Sequence, residues 1–194
     1  ILAKKISSKL LIPVYLYGYS AKSPERVKLE NFRKGEYEDL KYKIKNKNLI
    51  PDYGKNIYNK KSGASIIGVR DLLIAYNVNL ISKSKKVAQN IAKKIRESGY
   101  IRTDNYGNIL YDKNNEPLRE YGKLKYCKAI GWYSKQHKKS QVSFNITNFH
   151  KTPLHTLFDL TSIEAKKNNI EVSGSEIVGL VSKEALLNSG EFYN

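Results

Sequence analysis

Between Pro51 and Gly63 a turn cluster of Pro51, Asp52 and Gly54 runs into a lysine-rich loop, KNIYNKKS, that closes on Gly63. Backbone donors and lysines hung at the start of a sheet suit a pocket for a flat, acidic small molecule. Gly54 and Gly63 bracket the loop, and each allows close backbone approach or a positive φ. A plain surface turn would use the same two residues. Arg70, one of six Arg in the chain, stands just ahead of an alternating apolar run. Its planar guanidinium suits a two-pronged grip on a carboxylate, and equally an ion pair with Asp71 or Asp52.

Other groups that do chemistry are sparse. His137 lies in the Lys-flanked turn KQHKKS and reads as solvated, while His150 and His155 flank Lys151-Thr152-Pro153 at a helix start, where His155 packs or caps. None has a fixed carboxylate or Cys partner in the sequence, so the chain offers no general base and its catalytic assignment is none. No spacing suits zinc or another metal, and the lone Cys127 reads as structural rather than nucleophilic. Gly99, Gly107 and Gly122 lack phosphate-loop spacing. The residues describe a binding surface.

Composition removes further classes. The 194 residues suffice for one or two domains, and 40% hydrophobic content with 15 Tyr and 5 Phe supplies a core. No apolar run is long enough for a membrane helix. The opening ILAKKISSKLLIPVYLY is interrupted by Ser7, Ser8 and Lys9 and lacks a cleavage site, so it reads as helix then strand, not as a signal peptide. A single Cys precludes an internal disulfide and fits a reducing compartment, so a cytoplasmic protein is expected. The net charge of +17 comes mostly from Lys spread along every segment. Specific nucleic-acid recognition favours clustered Arg, so no nucleic acid is expected as partner; the field would instead draw acidic small molecules.

The elements that position these residues follow from periodicity. Leu2, Ile6 and Leu10 recur at helical spacing with no start signal ahead of them, and Ile1 is not an initiator Met, so further sequence is expected upstream. Ile12–Tyr17 reads as a strand and Ser23-Pro24-Glu25 as a helix start, with a break at Gly35; the stretch from 41 to 54 reads as a polar connector. From 73 to 80, Ile74, Tyr76, Val78 and Leu80 take one face of a strand while Asn77 and Asn79 take the other, facing something polar. Ser82 is expected to cap a helix with a Val87, Ile91, Ile95 stripe, ended by Gly99. Residues 101–122 read as a surface hairpin with its turn at 105–108, and no internal repeat is visible. Strands are expected at 124–133 and 141–148, a helix after Thr152-Pro153, extended pieces at 170–172 and 177–181, and a last helix capped by Ser182. The order β-α-β-β-α-β from 73 onward predicts an α+β fold: a ferredoxin-like split βαβ subdomain over 69–194, with an antiparallel sheet and helices on one face. Residues 1–68 are then the rear part of a preceding, incomplete α/β subdomain.

The stretch PDYGKNIYNKKSGASIIGVRDLLIAYNVNL, followed by KAIGWY, QVSFNITN, KTPLHTLFD and GSEIVGLVSKEALL, resembles glutamate formiminotransferase, the folate-dependent transferase of histidine breakdown. Few residues between Ile12 and Leu187 fall outside the family pattern. The resemblance implies two α/β subdomains facing each other across a folate tunnel. It implies transfer of the formimino group from N-formimino-L-glutamate to N5 of tetrahydrofolate, with tetrahydrofolate as co-substrate, no metal, and a homo-oligomeric protein. The family's folate-contacting loop matches Gly54, Lys55, Asn56, Ile57, Tyr58, Asn59, Lys60, Lys61, Ser62 and Gly63. Arg70 would take a carboxylate of formiminoglutamate or of the folate tail, and Asn77 and Asn79 would line the tunnel or pack at the interface. Tyr17, Arg33 and Glu36 lie in family-like segments as further candidates. The family's catalytic base is a His in a His-Pro-Arg segment, which would lie upstream of residue 1. Asn59-Lys60 replaces a stiffer His-Pro of many relatives, and Ser182 stands where Pro is common. A catalytically degenerate folate-binding relative is the alternative, and a basic nucleic-acid-binding module a weaker one.

Overall fold

Small residues decide how the first helix packs. The computed structural model describes residues 1–45 and 49–194, and the chain divides into two units, Ile1–Arg70 and Asp71–Asn194. Helix α1 (Leu2–Leu10) buries Ala3 and Ser7, and Leu2 and Leu10 stay exposed. Of the expected stripe, Ile6 packs against the core of this unit while Leu2 and Leu10 point outward. Ala3 and Ser7 permit close approach, and the Ser7 hydroxyl donates to the Ile12 carbonyl at 2.9 Å, tying the helix to the chain that follows it.

Strand β1 (Val14–Gly18) pairs in parallel with β2 (Ser65–Val69), Val14 opposite Ser65. Ser23-Pro24-Glu25 begins only a single 3₁₀ turn, Pro24–Arg26, because the Ser23 hydroxyl bonds the Glu25 carboxylate rather than a backbone N–H. Helix α2 (Leu29–Arg33) stops before Gly35, whose φ of +76° ends the run as expected. The connector after it carries a short helix, α3 (Leu40–Lys45); the rest of that reading falls partly on residues 46–48, outside the described residues.

In the second unit, β3 (Ile74–Leu80) is followed by α4 (Lys85–Ile95) and the short pair β4 (Tyr100–Ile101) and β5 (Arg119–Glu120). Strands β6 (Cys127–Ser134) and β7 (Lys139–Ile146), α5 (Leu154–Lys166), β8 (Val172–Val178) and α6 (Lys183–Tyr193) complete it. The antiparallel sheet runs β6-β7-β3-β8, the split βαβ arrangement expected. Ile74, Tyr76, Val78 and Leu80 are buried with Val142, Phe144 and Ile146 beside the Ile91 and Ile95 face of α4. Gly131 makes that packing possible, since a Cβ there would overlap the α4 backbone at Ala88 and Gln89. Ser84, not Ser82, caps α4, accepting the Val87 N–H at 3.3 Å. Ser182 occupies the cap position of α6 without a side-chain hydrogen bond.

The two extended pieces expected at 170–181 are one strand with a register shift where Asn79 pairs Gly174 and Leu80 pairs Val172. The hairpin contains a local repeat that the sequence reading missed. Asp104 accepts the Tyr106 and Asn108 N–H groups, and Asp112 accepts those of Asn114 and Glu116 in the same way.

One ion cluster ties this unit together. Glu164 on α5 is buried, with Lys123 at 2.5 Å, Lys167 at 2.8 Å and Lys94 of α4 at 3.6 Å. Burial alone would raise its carboxyl, but hydrogen bonds and charge from Lys123 and Lys167 prevail and hold it at about 2. A depressed carboxyl stabilises the fold above its ordinary value of 4.5 and loses that contribution as pH falls toward about 2. Replacing Glu164 by Gln should destabilise this unit by roughly 2–4 kcal/mol at neutral pH and flatten its acid-side loss of stability. Calorimetric melting across pH tests this, and equal pH profiles for the two proteins would contradict it.

Candidate functional site

Within the first unit a cavity of about 340 Å³ opens beside the end of the lysine-rich loop. Phe32, Tyr37 and Leu40 give it apolar walls, Ser62, Gly63 and Ser65 a polar edge, and Arg33 and Glu36 a charged one. Arg33 and Glu36 pair at 3.1 Å with both side chains largely exposed. Tyr15 lies against the cavity, tilted on Phe32 with ring centres 5.8 Å apart. Burial pushes its hydroxyl up to about 12, so it stays a neutral donor, bonded to the Leu49 carbonyl at 3.2 Å. Aromatic walls with a few polar groups at the edge suit a flat ring bearing hydrogen-bonding atoms.

The loop's two glycines do different work. Gly54 has φ of +88°, and a Cβ on it would meet the Ser7 hydroxyl and approach the Ile12 carbonyl oxygen to 2.7 Å. It holds the loop's start against the chain that follows α1. Gly63 is buried at the cavity with φ of +61°, where a Cβ would press on the Tyr37 ring at 3.2 Å.

Between them Asn59 organises the turn. Its side-chain carbonyl accepts the Lys61 and Ser62 N–H groups, each at 3.0 Å, and its backbone carbonyl accepts Gly63 N–H at 2.8 Å. The turn is thus stiffened by Asn59 itself, which accounts for the absence of a Pro. The same bonds occupy the N–H groups that had been expected to face a ligand. Tyr37 ties the turn down, donating to the Lys60 carbonyl and accepting from the Tyr58 hydroxyl, each at 2.6 Å. That second bond raises the Tyr58 hydroxyl above its ordinary value.

Of the ten loop residues, Ser62 and Gly63 line the cavity. Lys55, Asn56, Ile57, Lys60 and Lys61 are exposed, and Tyr58 and Asn59 are half-buried. The Asn56 amide donates to the Ile44 carbonyl at 3.3 Å. Arg70 is exposed directly after β2 and is not among the cavity residues. Asp52, one of its suggested partners, pairs with Arg26 at 3.1 Å and Lys22 at 3.4 Å. Arg33 and Glu36 reach the cavity, whereas Tyr17 is absent from its lining. Phe32 and Tyr37 went unnoticed as site residues. Their only signal was an aromatic on each side of the Gly35 break.

In the second unit the Asn77 amide donates to Glu176 at 2.9 Å, and Gln141 bridges Asn79 and Glu176. These bonds lie within the sheet, a third role beside the tunnel lining and interface packing expected for those Asn. His137, read as unpartnered, has its Nε2 3.5 Å from Glu176. His150 lies 3.5 Å from Glu184, and His155 stacks on Phe192 at 4.1 Å. Burial pushes the Cys127 thiol up to about 11, which disqualifies it as a nucleophile near neutral pH. Among the described residues no group of three or more His, Cys, Asp or Glu could hold a metal ion, and no helix is long and apolar enough to cross a membrane.

Comparison with known proteins adds to this geometry. The Formiminotransferase domain family matches residues 75–194, and the N-terminal subdomain of that domain matches residues 1–70. The chain is 40% identical over 190 residues to a formimidoyltransferase-cyclodeaminase of Dictyostelium discoideum, covering 98% of this chain and 32% of that protein. It is 36% identical over 191 residues to a glutamate formimidoyltransferase of Streptococcus pyogenes serotype M1, covering 98% and 56%. A glutamate formimidoyltransferase of Thermoplasma acidophilum is 36% identical over 194 residues, covering 99% and 56%. The chain thus spans about a third to just over half the length of these relatives.

Replacing Tyr37 by Phe removes both hydroxyl bonds while leaving the cavity wall in place. Trypsin should then cut at exposed Lys60 and Lys61 roughly tenfold faster, the local opening cost falling by about 1–2 kcal/mol. The overall melting temperature should change little. Unchanged cleavage would show that Tyr37 does not hold the turn.

Proposed function

Because the chain belongs to the Formiminotransferase domain family, we propose that the protein transfers the formimino group of N-formimino-L-glutamate to N5 of tetrahydrofolate in histidine breakdown. The observation that carries this reading is the position of Gly63, the end of the family-matched loop, in the wall of an aromatic-lined cavity with Phe32 and Tyr37. Tetrahydrofolate supplies the nucleophilic N5, whose bond to the amidine carbon replaces that carbon's bond to the glutamate nitrogen, while a proton passes from the first nitrogen to the second.

The chain's own residues bind and orient. Phe32 and Tyr37 flank the ring, Ser62 and Ser65 meet its polar edge, and Arg33 exchanges its partner Glu36 for a ligand carboxylate. Exposed Lys55, Lys60 and Lys61 face the glutamyl tail, and Arg70 takes a carboxylate of the donor. Holding both substrates in line accounts for much of the acceleration. The net charge of +17 draws these acidic substrates toward the protein. A cytoplasmic homo-oligomer belongs to the same reading.

Titration calorimetry with folinic acid, a stable reduced folate, tests it. Gly63→Val should weaken binding at least about tenfold, since the left-handed backbone disfavours a β-branched residue and the added carbons push Tyr37 into the cavity. Changing Lys60 and Lys61 together to Ala should cost more for polyglutamylated than for monoglutamylated folate. Equal affinity in folded Gly63→Val protein would make the loop merely structural.

A further inference from the structure

On its face turned away from the hydrophobic core, the β6-β7-β3-β8 sheet holds a buried acceptor that the fold leaves unused. Gln141 is fully buried; its Nε2 donates to Asn79 and, at 2.8 Å, to Glu176, but its Oε1 has no hydrogen-bond partner among the described residues. Turning the amide over would set its oxygen against the Glu176 carboxylate, so the network fixes the orientation. An acceptor buried without a donor costs free energy, and native folds leave few of them.

Glu176 supplies a second acceptor beside it. Its Oε1 receives Asn77 and Gln141, while its Oε2 lies 3.5 Å from His137 with the side chain 34% exposed. The Asn77 hydrogen bond, with that of Gln141 and the charge of His137, holds the carboxyl below its ordinary range despite burial. It is therefore an anion at neutral pH. Trp132, directly across the β6–β7 register from Gln141, is exposed, as are Ile130 on β6 and Val178 on β8. A part-exposed carboxylate backed by a buried, unpaired amide carbonyl, beside exposed apolar side chains, matches a planar cation with several N–H donors and no acceptor. A formamidinium group has that chemistry.

We propose that Glu176 and Gln141 receive the formamidinium end of the N-formimino amino acid, an assignment that rests on the transferase reading above. The pair then sets specificity by charge and by hydrogen-bond direction. An N-formyl amino acid has the same shape but presents an oxygen where the N-formimino compound presents N–H. The unpaired Gln141 carbonyl and the Glu176 carboxylate both meet that oxygen with lone pairs and disfavour it.

The test is a calorimetric titration of the protein with N-formimino-L-glutamate and with N-formyl-L-glutamate. Wild-type protein should bind the formimino compound at least about tenfold more tightly than the formyl compound. Glu176→Gln should bring that ratio toward one while folinic acid binding stays unchanged. Gln141→Met, which removes the amide and keeps the volume, should reduce the ratio in the same direction. A merely structural Glu176 would lower stability without changing the preference. An unaltered ratio in both variants overturns the assignment and leaves the transferase reading standing. Wild-type protein that binds neither compound overturns both.

Discussion

The Asp52 carboxylate, 2% exposed, accepts the Leu16 N–H at 2.7 Å and faces Arg26 at 3.1 Å and Lys22 at 3.4 Å. A buried charge is tolerated only when it is paired and hydrogen-bonded, and here both conditions hold. The surrounding geometry follows from it. Val14 exchanges backbone bonds with Tyr53, so residues 52–53 lie along β1 opposite β2 and set where the loop leaves the sheet. Arg26 also donates to the Ile50 carbonyl at 2.8 Å and lies over the Phe32 ring, which links the anchor to the cavity wall. Loss of Asp52 would leave the part-buried Arg26 without its carboxylate and free the start of the loop together. For that reason the site depends on Asp52 although Asp52 does not line it.

The second unit separates its tasks by strand period. Alternation along β3 sends Tyr76, Val78 and Leu80 into the core and turns Asn77 and Asn79 to the opposite face. Packing therefore constrains one side of the sheet, while the other can carry polar groups whose partners are chosen for chemistry. Glu164 and its lysines lock α5 to α4 and to the approach to β6 from outside the core. The polar face of the sheet thus rests on a packed back.

Long periodic segments were legible in the sequence because a single interaction decided them. The Ile91 and Ile95 stripe of α4 and the alternation of β3 report burial directly. Where small residues or backbone geometry decided, the signal was weak. In α1, Ala3 and Ser7 won over Leu2 and Leu10 because close approach to the following chain needs small side chains. In β8, the sequence suggests two extended pieces separated at 173–176, but the structure carries one strand through them with an irregular step. The loop from Gly54 to Gly63 was visible, yet its working end depends on Tyr37, which follows the Gly35 break and leaves no sequence pattern linking it to Lys60. Gln141 was equally hidden. Its significance lies in a missing partner, which a sequence does not display.

In the proposed reading, the Gly63 end of the loop and the Phe32–Tyr37 wall form one ligand-responsive surface. Amide hydrogen exchange, followed by mass spectrometry with and without saturating folinic acid, tests it most directly. Slowed exchange is expected in peptides spanning 33–40 and 60–66, the two sides of the cavity. Saturated protein in which both peptides exchange at the unliganded rate would contradict it.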